Sequence, residues 1–223
     1  MTFKTLTLGL LTFLGLTSCN QNSDKQANGQ TNTTLLDKET FSLYKKTDSI
    51  IYVARALTTG NDKFDLYLYE VNISTPEGAK QAYTSIQQLT QKELDSKKTE
   101  LQSSYNWTPF KGNEVLFVQI QPTGFNDEMQ LLDKRQEIED KLSKVLENKK
   151  IGEWFAGDIG PGGGNMLFTV TDIDNSLQII LDVLQQNKLD KNVLIGRRVL
   201  VDKDDWFYEV IYPTKYTGDF NTM

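Results

Sequence analysis

The side chains a protein owns set the first limit on its chemistry, and this chain of 223 residues owns no histidine and one cysteine, Cys19. Histidine is the usual general base near neutral pH and the commonest ligand for zinc and copper. Its absence excludes Ser-His-Asp and Cys-His catalysis, and a single thiol cannot complete a zinc site. An enzyme made from this chain would have to use carboxylate, lysine, tyrosine or serine-lysine chemistry. Carboxylates are in excess, 30 Asp and Glu against 24 Lys and Arg, for a formal net charge of −6. That balance argues against nucleic acid as a partner and weakly favours a cationic one or none. No cofactor-binding motif is present, and none is expected to be bound.

The densest local feature is residues 157–165, GDIGPGGGN. A glycine-rich segment can aim backbone N–H groups at a phosphate, and Gly157, Gly160, Gly162, Gly163 and Gly164 are the candidate ligand-binding positions. Nucleotide folds, however, place such a segment between a strand and a helix N-terminus. Here the apolar run 166–170 follows, with no Gly-Lys-Ser/Thr ending and no acidic residue at the ribose spacing. The expectation is a structural turn with several positive-φ positions; a backbone nest for another anion, or a partner contact, is the second use.

Acidic pairs at Asp172 and Asp174 and at residues 202–205 invite a calcium reading. In an EF-hand loop counted from Asp172, however, Leu177 stands where glycine is needed and Val183 where the bidentate Glu belongs. No metal site is expected: Asp172 or Asp174 reads as a helix cap and 202–205 as a turn. Glu153 and Asp158 flank the glycine segment as a glycosidase pair would, which requires carboxyls ~5–10 Å apart. Trp107, Trp154 and Trp206, with Tyr208, Tyr212 and Tyr216, could stack on sugars or anchor a partner, but their strand spacing favours core and edge packing. Arg197 and Arg198 are adjacent in an apolar run, so one is expected to be partly buried against a carboxylate such as Glu209.

These residues must be positioned by regular elements. Apolar runs at 50–57 and 64–73 around Gly60-Asn61-Asp62 predict a hairpin. Ser74 to Glu77 reads as a helix start, continued by Ala79, Ala82, Tyr83, Ile86 and Leu89 as far as Leu101. Residues 115–120 predict a central strand. Asn126 or Asp127 caps a second helix carrying Leu131, Ile138, Leu142, Val145 and Leu146. Residues 153–156 and 166–170 predict a second hairpin around the glycine segment, and Ile173, Leu177, Ile180, Leu181 and Leu184 a third helix. Strands at 193–201 and 206–212 close the domain.

The order predicts an α+β fold, a mixed or antiparallel sheet with three helices. Within it, residues 114–201 read β-α-β-β-α-β, an order that resembles the ferredoxin-like topology.

The first residues have another character. Met1 and Lys4 give a positive start, and residues 6–16, LTLGLLTFLGL, form an uncharged apolar run about half the ~20 residues needed to span a bilayer. The segment ends Leu16-Thr17-Ser18-Cys19, which resembles the lipobox of bacterial lipoproteins: an aliphatic residue, two small residues, then cysteine. The resemblance implies cleavage before Cys19, a diacylglycerol thioether on its sulfur and acylation, palmitate included, of the new N-terminus. Several acyl chains, at ~0.8 kcal/mol per buried CH₂, would hold the protein in a membrane far more firmly than one. Cleavage leaves 205 residues and, with Lys4 lost, a charge of −7. With its one thiol acylated, this exported chain is expected to fold without an intramolecular disulfide.

The expected organisation is a signal peptide at 1–18, a lipidated tether at 19–38 and a globular domain at 39–212, with 39–105 and 112–212 as possible subdomains. Residues 213–223 are read as a tail. The tether rests on NQNSDKQANGQTNTT at 20–34, too polar to offset its ordering entropy by burial. The functional expectation is a cell-envelope lipoprotein, on the outer membrane of a Gram-negative bacterium with its domain outside the cytoplasm. The domain is read as a non-catalytic module for an unidentified protein or small-molecule partner: neutralising a cationic toxin, binding a ligand or scaffolding an envelope complex. A carboxylate-dependent hydrolase such as a glycosidase is the alternative.

Overall fold

Apolar residues at alternate positions or in short continuous runs favour strands, and the computed structural model contains two five-stranded sheets, most of whose strands carry such residues. It describes residues 37–60, 62–74, 79–105, 114–200 and 205–222; the expected leader, Cys19, the tether up to residue 36, Trp107 and residues 202–204 lie outside these. The first sheet has the order β1-β2-β3-β4-β10, from β1 (Glu39–Thr47), β2 (Ile50–Gly60), β3 (Lys63–Asn72), β4 (Ala79–Thr90) and β10 (Gly218–Phe220). The second has the order β6-β7-β5-β8-β9, from β5 (Glu114–Ile120), β6 (Gly152–Gly160), β7 (Gly163–Val170), β8 (Val193–Leu200) and β9 (Trp206–Tyr212). All neighbouring strands in both sheets are antiparallel. With α1 (Gln91–Ser104), α2 (Glu128–Asn148) and α3 (Ile173–Gln186), the fold is α+β with three helices and two antiparallel sheets.

The predicted first hairpin is present as β2 and β3, with Gly60 at φ 86° and Asp62 at φ 56° beside its turn. The helix predicted from residue 74 is not: residues 79–90 form β4, paired with β3 from Asn72↔Lys80 to Lys63↔Thr90. Two of the five apolar residues at helical spacing are alanine, and a two-residue alternation of burial overrides the pattern. Gln81 is buried and Tyr83 and Ser85 half-buried, while Ala82, Thr84 and Ile86 between and after them are exposed. The helix starts only at Gln91, where Thr90 and Glu93 form a reciprocal capping box. Two further strands escaped the sequence reading. β1 precedes the hairpin, and β10, inside the expected tail, pairs with β4 and buries Phe220.

Residues Leu36–Met223 gather into one compact unit. α1 covers one face of the first sheet, with Leu94 and Leu101 packed on Phe41, Leu43, Ala54, Ala56, Phe64 and Leu66. The opposite face, with Tyr44, Ile51, Val53, Tyr67 and Tyr69, packs on Val199 and Phe207 of the second sheet. α2 and α3 bury Ile138, Leu142, Leu146, Ile180 and Leu184 against Leu116, Val118, Ile120, Met166 and Phe168. On the reverse of the second sheet, Phe117, Tyr208 and Phe220 form edge-to-face ring contacts. Among the described residues, no helix is long and apolar enough to cross a membrane.

Candidate functional site

The glycine segment is mostly strand. β6 runs to Gly160 and β7 starts at Gly163, leaving Pro161 and Gly162 as the turn. Of the five candidate glycines only Gly163 has a positive φ, 128°, which corrects the expectation of several. The others are glycine because something lies against them. A Cβ on Gly164 would sit 3.1 Å from Arg135 Cβ on α2, and one on Gly157 would sit 2.8 Å from the Asn165 carbonyl oxygen and against the Arg135 guanidinium. On Gly162 it would meet the Gln119 amide and, at 2.9 Å, the Asn221 carbonyl; on Gly163 it would strike the Ile120 carbonyl. Gly160 has the most room, its nearest neighbour being Asn165 Nδ2 at 3.2 Å. The space a phosphate would need beside the hairpin is therefore filled by α2, β5 and the C-terminal residues.

Most polar groups there pair with one another, the buried Arg135 Nε being an exception. Gln119 Nε2 donates to Asn165 Oδ1 at 3.0 Å and to the Asn221 carbonyl at 2.6 Å, and Asn165 Nδ2 donates to Asp158 Oδ1 at 2.7 Å. Arg135 pairs with Glu139 and donates to the Asn165 carbonyl at 3.3 Å. Asp158 is thus held at the tip of the hairpin, while Glu153 lies five residues back along β6. At ~3.3 Å per residue that is about 16 Å, beyond the ~10 Å a glycosidase pair tolerates. Asp172 caps α3, accepting from the Asn175 N–H at 3.0 Å, and Asp205 pairs with Lys46. Among the described residues no three acidic groups are placed to hold a metal ion.

The strongest electrostatic feature lies elsewhere. One transverse row of the second sheet reads Trp154–Phe168–Leu116–Arg197–Glu209. Phe168 and Leu116 are covered by the helices, whereas Arg197 and Glu209 meet the first sheet. Arg197 Nε donates to Glu209 at 2.8 Å, giving the pair that adjacent strands suggested. Arg197 also donates to Glu39 at 3.0 Å, to Ser42 Oγ at 3.0 Å and to the Tyr44 hydroxyl at 2.6 Å. Arg55 joins from β2, donating to Glu39 at 2.9 Å. The hydroxyls of Tyr44, at 2.9 Å, and of Tyr69 donate to Glu209.

The two carboxyls of this cluster are driven apart. Against burial, which would raise it, Arg197 and Arg55 hold Glu39 down at about 2. Burial pushes Glu209, fully excluded from solvent, up to about 7 against the lowering by Arg55 and the Tyr44 hydrogen bond. Such a carboxyl could hold a proton near neutrality, but its neighbours are structural groups of both sheets. The cluster acts as a polar joint. Glu39, Tyr44, Arg55 and Tyr69 were not singled out in the sequence, and only their alternation with apolar residues marked them as inward-facing.

Three large side chains remain exposed at one end of the second sheet. Trp154 and Phe155 on the edge strand β6 are 42% and 44% exposed, and Trp206 at the start of the other edge strand, β9, is 47% exposed. Trp154 pairs with Phe168 and Ala156 with Leu167, so Phe155 is the extra residue of a β-bulge, which turns both rings outward. A groove of about 410 Å³ lies beside them, lined by Glu147, Lys150, Gly152, Glu153, Thr169, Val170 and Thr171. Its lining mixes both charges with hydroxyl and apolar groups and contains none of the five candidate glycines at the hairpin tip.

No family model, no curated protein and no solved structure matches the chain.

Proposed function

We propose that the chain is a bacterial envelope lipoprotein, carried on the outer membrane by lipid on Cys19, whose domain is a non-catalytic binding or interaction module. The observation that carries the anchor is the ordered leader: Lys4, the apolar run 6–16 and Leu16-Thr17-Ser18-Cys19, followed by a polar segment suited to a tether. The interaction reading draws support from three features. The glycine hairpin is packed shut, the perturbed carboxyls Glu39 and Glu209 join the sheets, and the exposed side chains are the aromatic type that anchors partners. We further read residues 114–200 as a ferredoxin-like unit, a reading favoured by the order β6-β7-β5-β8 with α2 and α3 as its two crossovers.

Feeding alkyne-tagged palmitate to cells expressing the wild type and Cys19→Ala tests the anchor. Label is expected on the wild type and lost from the variant. Equal labelling of both, or of neither, would overturn the reading.

A further inference from the structure

From the placement of its exposed aromatics, we infer that the end of the domain bearing Trp154, Phe155 and Trp206 rests on the lipid surface to which Cys19 anchors it. This rests on the lipoprotein reading above and adds an orientation to it.

Strand register puts these residues at one end. Gly152 and Glu114 both pair with Val170, and Leu200, the last residue of β8, pairs with Trp206. β6 and β9 therefore both begin where β5 begins, and β7 and β8 end there. Trp154 and Trp206 lie on opposite edges, four strand spacings or ~19 Å apart across the sheet, with Trp206 three residues nearer the strand end than Glu209 of the Trp154 row, so a surface touching both meets the end of the sheet obliquely along its width. Met129, 64% exposed, lies in the first turn of α2, which starts beyond the opposite end of β5.

The chain enters the domain near the same end. Glu39, the first residue of β1, bonds Arg197, which shares its transverse row with Trp154. Lys38 and Glu39 also act electrostatically on Asp174 at the start of α3, which follows the end of β7. Residues 20–36 connect Cys19 to this entry, and even fully extended they reach no more than about 60 Å. The bilayer is thus the one large surface always within reach.

The chemistry fits a zwitterionic interface. Tryptophan, with an apolar body and one N–H donor, concentrates at membrane–water boundaries. Exposed charges beside Trp154 are of both signs, Lys149 and Lys150 with Glu147 and Glu153, while Glu114, Asp172 and Asp174 add negative charge at the same end, so no positive excess draws it to anionic lipid. Contact should therefore be insensitive to salt.

The test is tryptophan quenching in the lipidated full-length protein, reconstituted in phosphatidylethanolamine–phosphatidylcholine vesicles brominated near the headgroup end of the acyl chains. Trp107→Phe with Trp206→Phe isolates Trp154, and Trp107→Phe with Trp154→Phe isolates Trp206. A control carries all three Trp→Phe changes with Met129→Trp. Trp154 and Trp206 should each lose about half or more of their emission relative to unbrominated vesicles, and the control little. If double variants misfold, the comparison of wild type with Trp154→Phe serves, the wild type being quenched more. Equal quenching of all positions in protein that floats with vesicles would overturn the orientation and leave the anchor standing. Protection of Trp154 that grows with protein concentration and ignores bromine would assign the surface to a second copy, and so overturn it. Protein without lipid on Cys19 would remove the anchor and this inference together.

Discussion

Arg197 shows how one residue can join two sheets. Its guanidinium reaches Glu209 on its own sheet and Glu39, Ser42 and Tyr44 on the other. Because Glu39 is lowered and Glu209 raised, they act on stability in opposite pH ranges. The Glu39 contribution is complete above its unfolded value near 4.5 and is lost as pH falls toward 2. The Glu209 contribution is complete below 4.5 and is lost as pH rises through 7. Denaturant unfolding across pH should therefore show stability falling between pH 4.5 and 8, by an amount on the order of 3 kcal/mol. In Glu209→Gln that alkaline loss should vanish while the acid-side loss persists; an unchanged slope above pH 5 would refute the assignment. Glycine makes a second residue-scale prediction. Gly163→Ala combines a positive φ with a collision on the Ile120 carbonyl and should cost about 2 kcal/mol or more, whereas Gly160→Ala should stay within about 1 kcal/mol of wild type. Thermal melts that rank the two the other way would contradict the packed-hairpin reading.

At the scale of elements, the sequence was informative where burial is apolar and poor where it is polar. β5 is a short continuous apolar run and α2 and α3 carry large aliphatic residues at a period of 3.6, and all three stand where those patterns put them. β4 does not, because its inward positions include Gln81, Ser85 and Gln87, so Ala82, Ile86 and Leu89 left a false helical trace. What makes Gln81 an inward residue is visible only in three dimensions. Its amide donates to the Val210 carbonyl at 3.3 Å and accepts from the Val210 N–H at 3.2 Å, standing in for a further strand at the β9 edge. Gln81→Ala should cost about 1–3 kcal/mol and expose that edge, raising aggregation on heating. Light scattering during a melt checks this, and a variant as soluble and stable as wild type would show that the edge needs no cover.

The whole molecule explains why the rest was hidden. The Arg197–Glu209 pair could be suspected from neighbouring strands, but Tyr44 and Tyr69 lie 165 and 140 residues from Glu209 and belong to the other sheet. β10 is three residues long and becomes a strand only because β4 is there to receive it. The glycines, expected to form a structural turn, left a ligand nest open as a second reading because a helix pressed against a hairpin, and a backbone pressed against a phosphate, both call for residues without a Cβ. The proposed anchor, by contrast, rests on a local, ordered stretch of sequence from Lys4 to Cys19, and it carries the functional account. Intact-mass analysis of the protein extracted from membranes tests it most directly. The account predicts a chain beginning at Cys19 with the added mass of a diacylglyceryl group and an N-linked acyl chain; a chain beginning elsewhere, or beginning at Cys19 with no lipid mass, would contradict it.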